Sequence, residues 1–347
     1  MRGRECRVPT FAPALVPHRL DGARPFPRRE PRKGRCASRP WQVGAVTGHS
    51  GDMSDSSVET TSELVLVTGA TGQTGALVAE GLRARGVPVR EAARGTDPRF
   101  DWDDPATWDA VLDGATAAYL VTPLVPDFAP GLVGDFTARA RAAGVRRLVL
   151  LSGASAEFGN VPILSREMPL RAVDQDDFSW TILRPSAFAQ NFPAMERTLL
   201  ADGGVRRPLG PAPGAAVAYI DVRDIADVAV EILASAEPDQ VRAHAGRTYY
   251  LDGPEALGYE QVLDAIGSRI GRELRYEDAP RDEWAAGARA AGVEEVWLRW
   301  RLDLFAQQRR GEYAHTRDDV ERLLGRRPRR FDAYLADSVS ADSWPEG

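Results

Sequence analysis

Lysine is almost missing from this sequence: Lys33 is the only one, and arginine carries the rest of the positive charge. Cysteine is scarce too. Cys6 and Cys36 both lie in the opening segment, so the body offers no thiol for a disulfide, a metal or a nucleophile. Of four histidines only His244 and His315 lie beyond residue 52, and no grouping of His, Cys, Asp and Glu has metal-site spacing. No apolar run approaches the roughly 18 residues that a membrane-spanning helix needs, and no internal repeat appears. The expectation is a cytoplasmic protein without metal or membrane anchor.

Charge is unevenly placed. Residues 1–52 hold 11 Arg and Lys against 4 Asp and Glu, leaving 33 against 46 for the rest, a body near −13. So acidic a body excludes a nucleic-acid footprint; the expected partner is a small-molecule substrate, and no oligomeric state is specified. The opening stretch, MRGRECRVPTFAPALVPHRLDGARPFPRREPRKGRCASRPWQVG, is rich in Arg, Pro and Gly and lacks the periods of helix and strand. Residues 1–60 are therefore expected to be a disordered leader. Met53 opens the sequence MSDSSVETTSELVLVTGATG and is expected to be the true start of translation.

From residue 64 onward, short apolar runs alternate with amphipathic stretches, the pattern of a parallel sheet covered by helices. Strands are predicted at 64–68, 88–94, 117–122, 146–152 and 179–184, with a further short one just before Asp101; helices are predicted at 74–85, 105–112, 130–143 and 167–176. This is an α/β, Rossmann-type, doubly wound order. Right-handed crossovers place its ligand crevice beyond the carboxyl ends of the strands.

The first strand breaks into Gly69-Ala70-Thr71-Gly72-Gln73-Thr74-Gly75 and then a helix pattern. Gly69 allows a tight turn, Gly72 removes the side chain where a pyrophosphate meets the backbone, and Gly75 lets the helix pack on the strand. The helix start supplies N–H groups and partial positive charge, so the loop is shaped for a dinucleotide. Where an NAD enzyme ends the second strand with an acid, this chain has Arg94, 19 residues after Gly75. A guanidinium suits a 2'-phosphate, so the expected cofactor is NADP(H) in preference to NAD(H). Asp101 either accepts a hydrogen bond from the adenine amino group or serves as a turn or helix-cap residue.

Other residues just past strands face the same crevice. Thr122 and Pro123 follow AAYLV, Ser152 and Gly153 follow RRLVLL, and Pro185 halts TILR ahead of Ser186. Phe188, Asn191 and Phe192 form either an apolar wall with one amide for a flat substrate or a helix packed on the sheet. Asp221 and Asp224 read as the cap of the helix IADVAVEILAS. Beyond them come a strand at TYYLDG, a helix at YEQVLDAIGSRIG, a short strand at ELRYEDAP and a helical end. The Trp297 and Trp300 stripe in that end is expected to be core.

The segments VTGATGQTG, FDWDDPATWDAVLDGATAAYLVTP, VLLSGASA, TILRPSAFAQNF, VAYIDVRDIADVAVEIL and GRTYYLDGPEALGYEQVLDAIGSRIGRELRY resemble the NmrA-like branch of the atypical short-chain dehydrogenases, and within it bacterial relatives of the ergot-alkaloid (festuclavine or agroclavine) dehydrogenases. The resemblance covers about 62 to 347. It implies a Rossmann domain over 62–200, a smaller mixed α/β substrate domain over 201–347 interleaved with the last Rossmann elements, and NAD(P)H as cofactor. It also implies either reduction of quinones, azo dyes, flavin-type or iminium compounds, or redox sensing without turnover.

Short-chain dehydrogenases use a Tyr whose pKa is lowered by a Lys four positions later. With Lys33 the sole lysine, and no Tyr in ASAEFGNVPILSREMPLRAV, that device is absent, and Arg cannot replace it as an acid. Ser152 and Tyr219 stand as weak catalytic candidates, with Ser155, Tyr119, Asp221, His244 and His315 behind them; the serines also fit turns, the tyrosines half-buried strand positions, and His244 the surface. The expected activity is NAD(P)H-dependent hydride transfer to an iminium, quinone or conjugated alkene, which needs no such pair. The other reading is a non-catalytic NADP(H) sensor acting through a protein partner.

Overall fold

The computed structural model describes residues 63–338 except 124, 126, 127, 130, 174–177, 193–203, 211–213 and 236. The expected leader, Met53 and both cysteines lie outside the described residues. Six strands form one parallel sheet: β1 (Leu64–Thr68), β2 (Val89–Ala92), β3 (Ala115–Val121), β4 (Arg147–Leu151), β5 (Ser179–Pro185) and β7 (Arg247–Leu251). Their order is β2-β1-β3-β4-β5-β7. β1 is an interior strand covered on both faces, which is why it reads as an unbroken apolar run. Val65 and Val67 join one core with Val78, Leu82, Ile225 and Val228, while Leu66 joins the opposite one with Trp108, Phe136 and Leu148. Alternation of side chains along the strand divides them in this way.

Helices α1 (Gly75–Ala84) and α5 (Val222–Leu233) cover the first face; α2 (Trp108–Leu112), α3 (Gly131–Ala142) and α4 (Val161–Arg171) cover the second. The chain winds outward from β1 to β2 and then returns to β3 on the other side of β1. That reversal opens a crevice at the carboxyl ends of β1 and β3. Asp221 caps α5, its carboxylate accepting from Arg223 N, as the sequence suggests.

Two expectations are corrected. No strand precedes Asp101: that segment turns back on itself, with Thr96 Oγ1 bonded to Ala93 and Pro98. Phe100 and Trp102 instead fill the space above α2 and α3, their rings 5.3 Å apart and 5.6 and 5.4 Å from Phe136. Burying these aromatics outweighs extending the sheet edge. The helix expected at 167–176 occupies Val161–Arg171, because Asn160 caps it by accepting from Ile163 N at 3.2 Å and Pro162 sits in its first turn. Residues 174–176 of the expectation lie outside the described residues.

Past α5, α6 (Pro238–His244) leads into β7, so both α5 and β7 serve the large sheet. β6 (Gly204–Arg207) and β8 (Arg275–Asp278) pair in parallel as a second, small sheet. α7 (Tyr259–Ile270), α8 (Arg281–Ala290), α9 (Glu295–Arg309), α10 (Asp319–Leu324) and α11 (Phe331–Ser338) accompany them. A third core joins Phe192, Tyr219, Val262, Ile266, Phe331 and Tyr334, and so ties this part to the segment after β5.

Candidate cofactor and substrate crevice

β1 ends in Thr68, whose Oγ1 donates to Tyr119 O and accepts from Val121 N at 2.8 Å, locking the ends of β1 and β3 together. Gly69 follows with φ +62°, a conformation that disfavours any side chain. A Cβ on Gly75 would lie 2.3 Å from Gly69 O, so the first turn of α1 touches the loop directly. The N–H groups opening α1 point where an anion would sit.

A cavity of about 680 Å³ starts at this loop and runs over the strand ends. Gly69, Gly72, Gln73 and Thr74 line it at one end, and Thr122, Ser152, Gly153 and Pro185 floor it. Phe188, Asn191, Phe192 and Tyr219 line it beyond. Of the remaining expected residues, Gly75 acts through packing, Thr71 is exposed, and Thr71 and Pro123 are not in the wall. Arg94 lies outside the cavity, two residues past Ala92, which pairs with Thr68; it is exposed and makes no hydrogen bond or ion pair among the described residues. Asp101 is engaged as a turn residue: its carboxylate accepts from Arg99 Nη2 at 2.7 Å and from Asp103 N at 3.2 Å.

Ser152 sits over a buried polar network that the sequence reading missed. Its hydroxyl donates to Glu167 Oε1 at 2.6 Å. Arg184 grips the same carboxylate with two hydrogen bonds of 2.8 and 2.6 Å, and Arg171 Nη2 adds one at 2.9 Å. Burial alone would raise the Glu167 pKa, but hydrogen bonds from Arg184, Ser152 and Arg171 hold it below its ordinary value. With its proton committed to Glu167, the Ser152 oxygen turns its lone pairs to the crevice as an acceptor.

The far end is aromatic and cationic. Phe192 packs against Tyr219, Tyr259 and Phe331 at 5.0, 5.8 and 5.6 Å between ring centroids. Trp297 and Trp300, expected in the core, line the cavity from α9, whose Leu298 and Leu302 instead make the core with Ala285 of α8. Arg166, Arg207 and Arg301 also line it. Nothing in their sequence context sets these arginines apart from the many others. Tyr119 departs from its half-buried expectation: it is fully buried, and burial pushes its phenol up. His244 ends α6, half-buried rather than at the surface, with Nδ1 2.9 Å from the Tyr249 hydroxyl, and exposed His315 stacks on Phe158; neither lines the cavity.

The wall suits a dinucleotide. Besides the loop and the helix start, Ser186 Oγ is a buried polar atom of the wall that has no hydrogen-bond partner among the described residues. Such an orphan is stabilised by a polar ligand. Gly69–Gly75 would hold the diphosphate, and Thr122, Ser152, Gly153 and Ser186 the nicotinamide half. No cluster able to hold a metal occurs among the described residues, nor does any described helix have the length and apolarity to cross a membrane.

No family model matches the chain. It is 33% identical over 293 residues to a (4-alkanoyl-5-oxo-2,5-dihydrofuran-3-yl)methyl phosphate reductase of Streptomyces griseus, covering 80% of this chain and 99% of that protein. It is 29% identical over 292 residues to an NAD(P)H azoreductase of Xenophilus azovorans, covering 80% and 99%. Agroclavine dehydrogenase of Claviceps fusiformis is 28% identical over 293 residues, covering 79% and 96%. Among solved structures, an NADPH-dependent quinone oxidoreductase of Escherichia coli complexed with NADPH superposes with TM-score 0.67 at 20% identity, covering 79% and 99%. The negative transcriptional regulator NmrA in complex with NAD superposes with TM-score 0.61 at 16% identity, covering 80% and 96%. Glycine loop, sheet order, crevice and relatives agree: the chain is an NAD(P)-binding oxidoreductase and belongs to the NmrA-like atypical short-chain dehydrogenase/reductase family.

Proposed function

We propose that this protein is an NADP(H)-dependent reductase that delivers hydride to a small, flat electrophile, either a quinone, an iminium or a conjugated alkene, without a Tyr/Lys pair. The observation that carries this reading is the make-up of the cavity wall: it runs from the glycine loop to Trp297 and Trp300 and contains no Asp, Glu, His, Lys or Cys among the described residues. From α4, Ile163 and Arg166 line the cavity. Of the lining phenols, Tyr313 is pushed by burial above its ordinary range and is thereby a poorer acid. Acceptors that take hydride first and collect a proton from water fit such a wall. The dihydrofuranone phosphate reductase and the azoreductase, similar along most of the chain, support an electrophile over a simple ketone.

Bound NADPH supplies the hydride. The chain's own residues orient the reactants: Ser152, held by Glu167, accepts from the carboxamide; Ser186 supplies a hydroxyl; Phe188, Phe192 and Trp300 flank a planar acceptor and exclude water. Arg94, free past β2, takes the 2'-phosphate and sets the preference for NADP(H). The test is NADPH binding followed by NADPH oxidation with quinones, azo dyes, cyclic iminium compounds and conjugated enones. Turnover above the uncatalysed rate is expected. Tight binding without turnover across the panel would sink this reading and favour a redox sensor.

A further inference from the structure

The acidic body conceals a cationic cavity. Acids outnumber bases by 46 to 33 after residue 52, yet among the described residues the charged ones lining the cavity are Arg166, Arg207 and Arg301, with no acid. Arg166 is 4% exposed. One of its nitrogens donates to Val125 O at 2.7 Å and its guanidinium lies 5.1 Å from the centre of the Phe128 ring, but Nε has no partner and no carboxylate pairs with it among the described residues. Burial accordingly pushes its pKa down, to about 10.

A buried guanidinium without a counter-charge is costly, and folds retain one where a ligand supplies the anion. The cofactor phosphates already have their places, the diphosphate at the loop before α1 and the 2'-phosphate outside the cavity near Arg94. Arg166 instead projects from α4 against the segment after β3. Arg207 reaches the cavity from β6, 5.7 Å over Phe305, and Arg301 from α9, beside the tryptophans. We infer that the acceptor carries an anionic group, a phosphate, sulfonate or carboxylate, on a flat unsaturated body, the group held by Arg166 and the body by the aromatic wall. The inference rests on the hydride-transfer reading.

The test compares 1,4-naphthoquinone-2-sulfonate with 2-methyl-1,4-naphthoquinone on the full chain. Binding to the NADP⁺ complex is followed by calorimetry, and turnover by NADPH oxidation. The sulfonate should bind roughly tenfold more tightly, with inorganic sulfate competing. Arg166→Gln should erase the preference, Arg166→Lys should keep most of it, and NADPH affinity should change little in either. Equal affinities of the wild type for the two quinones, or no competition by sulfate, would overturn the inference. So would an Arg166→Gln variant that weakens NADPH binding while the preference survives, since the arginine would then serve a cofactor phosphate. If Arg166→Gln does not fold, the wild-type preference and the sulfate competition still decide. Turnover without anion preference would remove only this inference; anion-selective binding without NADPH oxidation would remove the reductase reading and leave the subsite standing.

Discussion

Arg94 and Asp252 show how far a single side chain can be read. Arg94 lies at the carboxyl end of β2, aligned with the loop after β1 by the pairing of Thr68 with Ala92. Removing it as Arg94→Ala should weaken NADPH binding by about 10- to 100-fold, the range of one or two charge-assisted hydrogen bonds, and leave NADH binding nearly unchanged. Fluorescence titration of both cofactors checks this, and equal losses would remove Arg94 from the 2'-phosphate. Asp252, just past β7, carried no sequence signal. It is 2% exposed, and burial raises its carboxyl to about 6 although Arg317 opposes the shift. The folded state therefore holds this proton up to about pH 6, while the unfolded chain releases it near 3.9. Between these values the folded form binds more protons, so the contribution of Asp252 to stability falls as pH rises, by about 2–3 kcal/mol in all. Asp252→Asn should flatten that part of the curve: wild-type Tm minus variant Tm should decline from pH 4 to pH 6 and level off above.

Among elements, α4, β4 and β5 are joined by Glu167, Ser152 and Arg184. Glu167 is fully buried and Arg184 is 7% exposed, so the pair is worth little as a net attraction but much to break. Glu167→Gln leaves Arg184 without its charge partner and should cost about 3–5 kcal/mol. For a domain of this size that lowers Tm on the order of 10 °C, measured by calorimetry or circular dichroism. The strands and α1 were legible because periodicity and the glycine break are local signals. α4 was misplaced because its weak apolar period competes with an Asn-Val-Pro start, and the missing strand before Asp101 because Phe100 and Trp102 had a better place among aromatics distant in sequence. The α9 tryptophans show the same limit: a stripe at helical spacing marks an apolar face but does not say whether protein or ligand covers it.

At the level of the whole molecule, residues 1–52 differ in composition from everything after them. A chain beginning at Met53 is expected to keep its Tm within about 2 °C and its NADPH affinity unchanged, because a segment without apolar periodicity has little surface to bury. A larger drop on thermal melting would show that the leader packs on the body. The sheet order, with its reversal between β1 and β3, then explains why loops from distant parts of the chain converge on one crevice.

The sequence by itself determined the parallel α/β sheet, the glycine loop and helix that suit a dinucleotide, the arginine at the end of β2, and a body without lysine. Each depends on residues adjacent in the chain, or on a residue type that is simply missing. Only the tertiary structure decided which arginines are buried in the cavity, that Ser152 is held by Glu167, and that the tryptophans of α9 face the crevice. Those outcomes come from packing between segments up to more than a hundred residues apart, where burial and charge pairing are set by neighbours that no local pattern encodes.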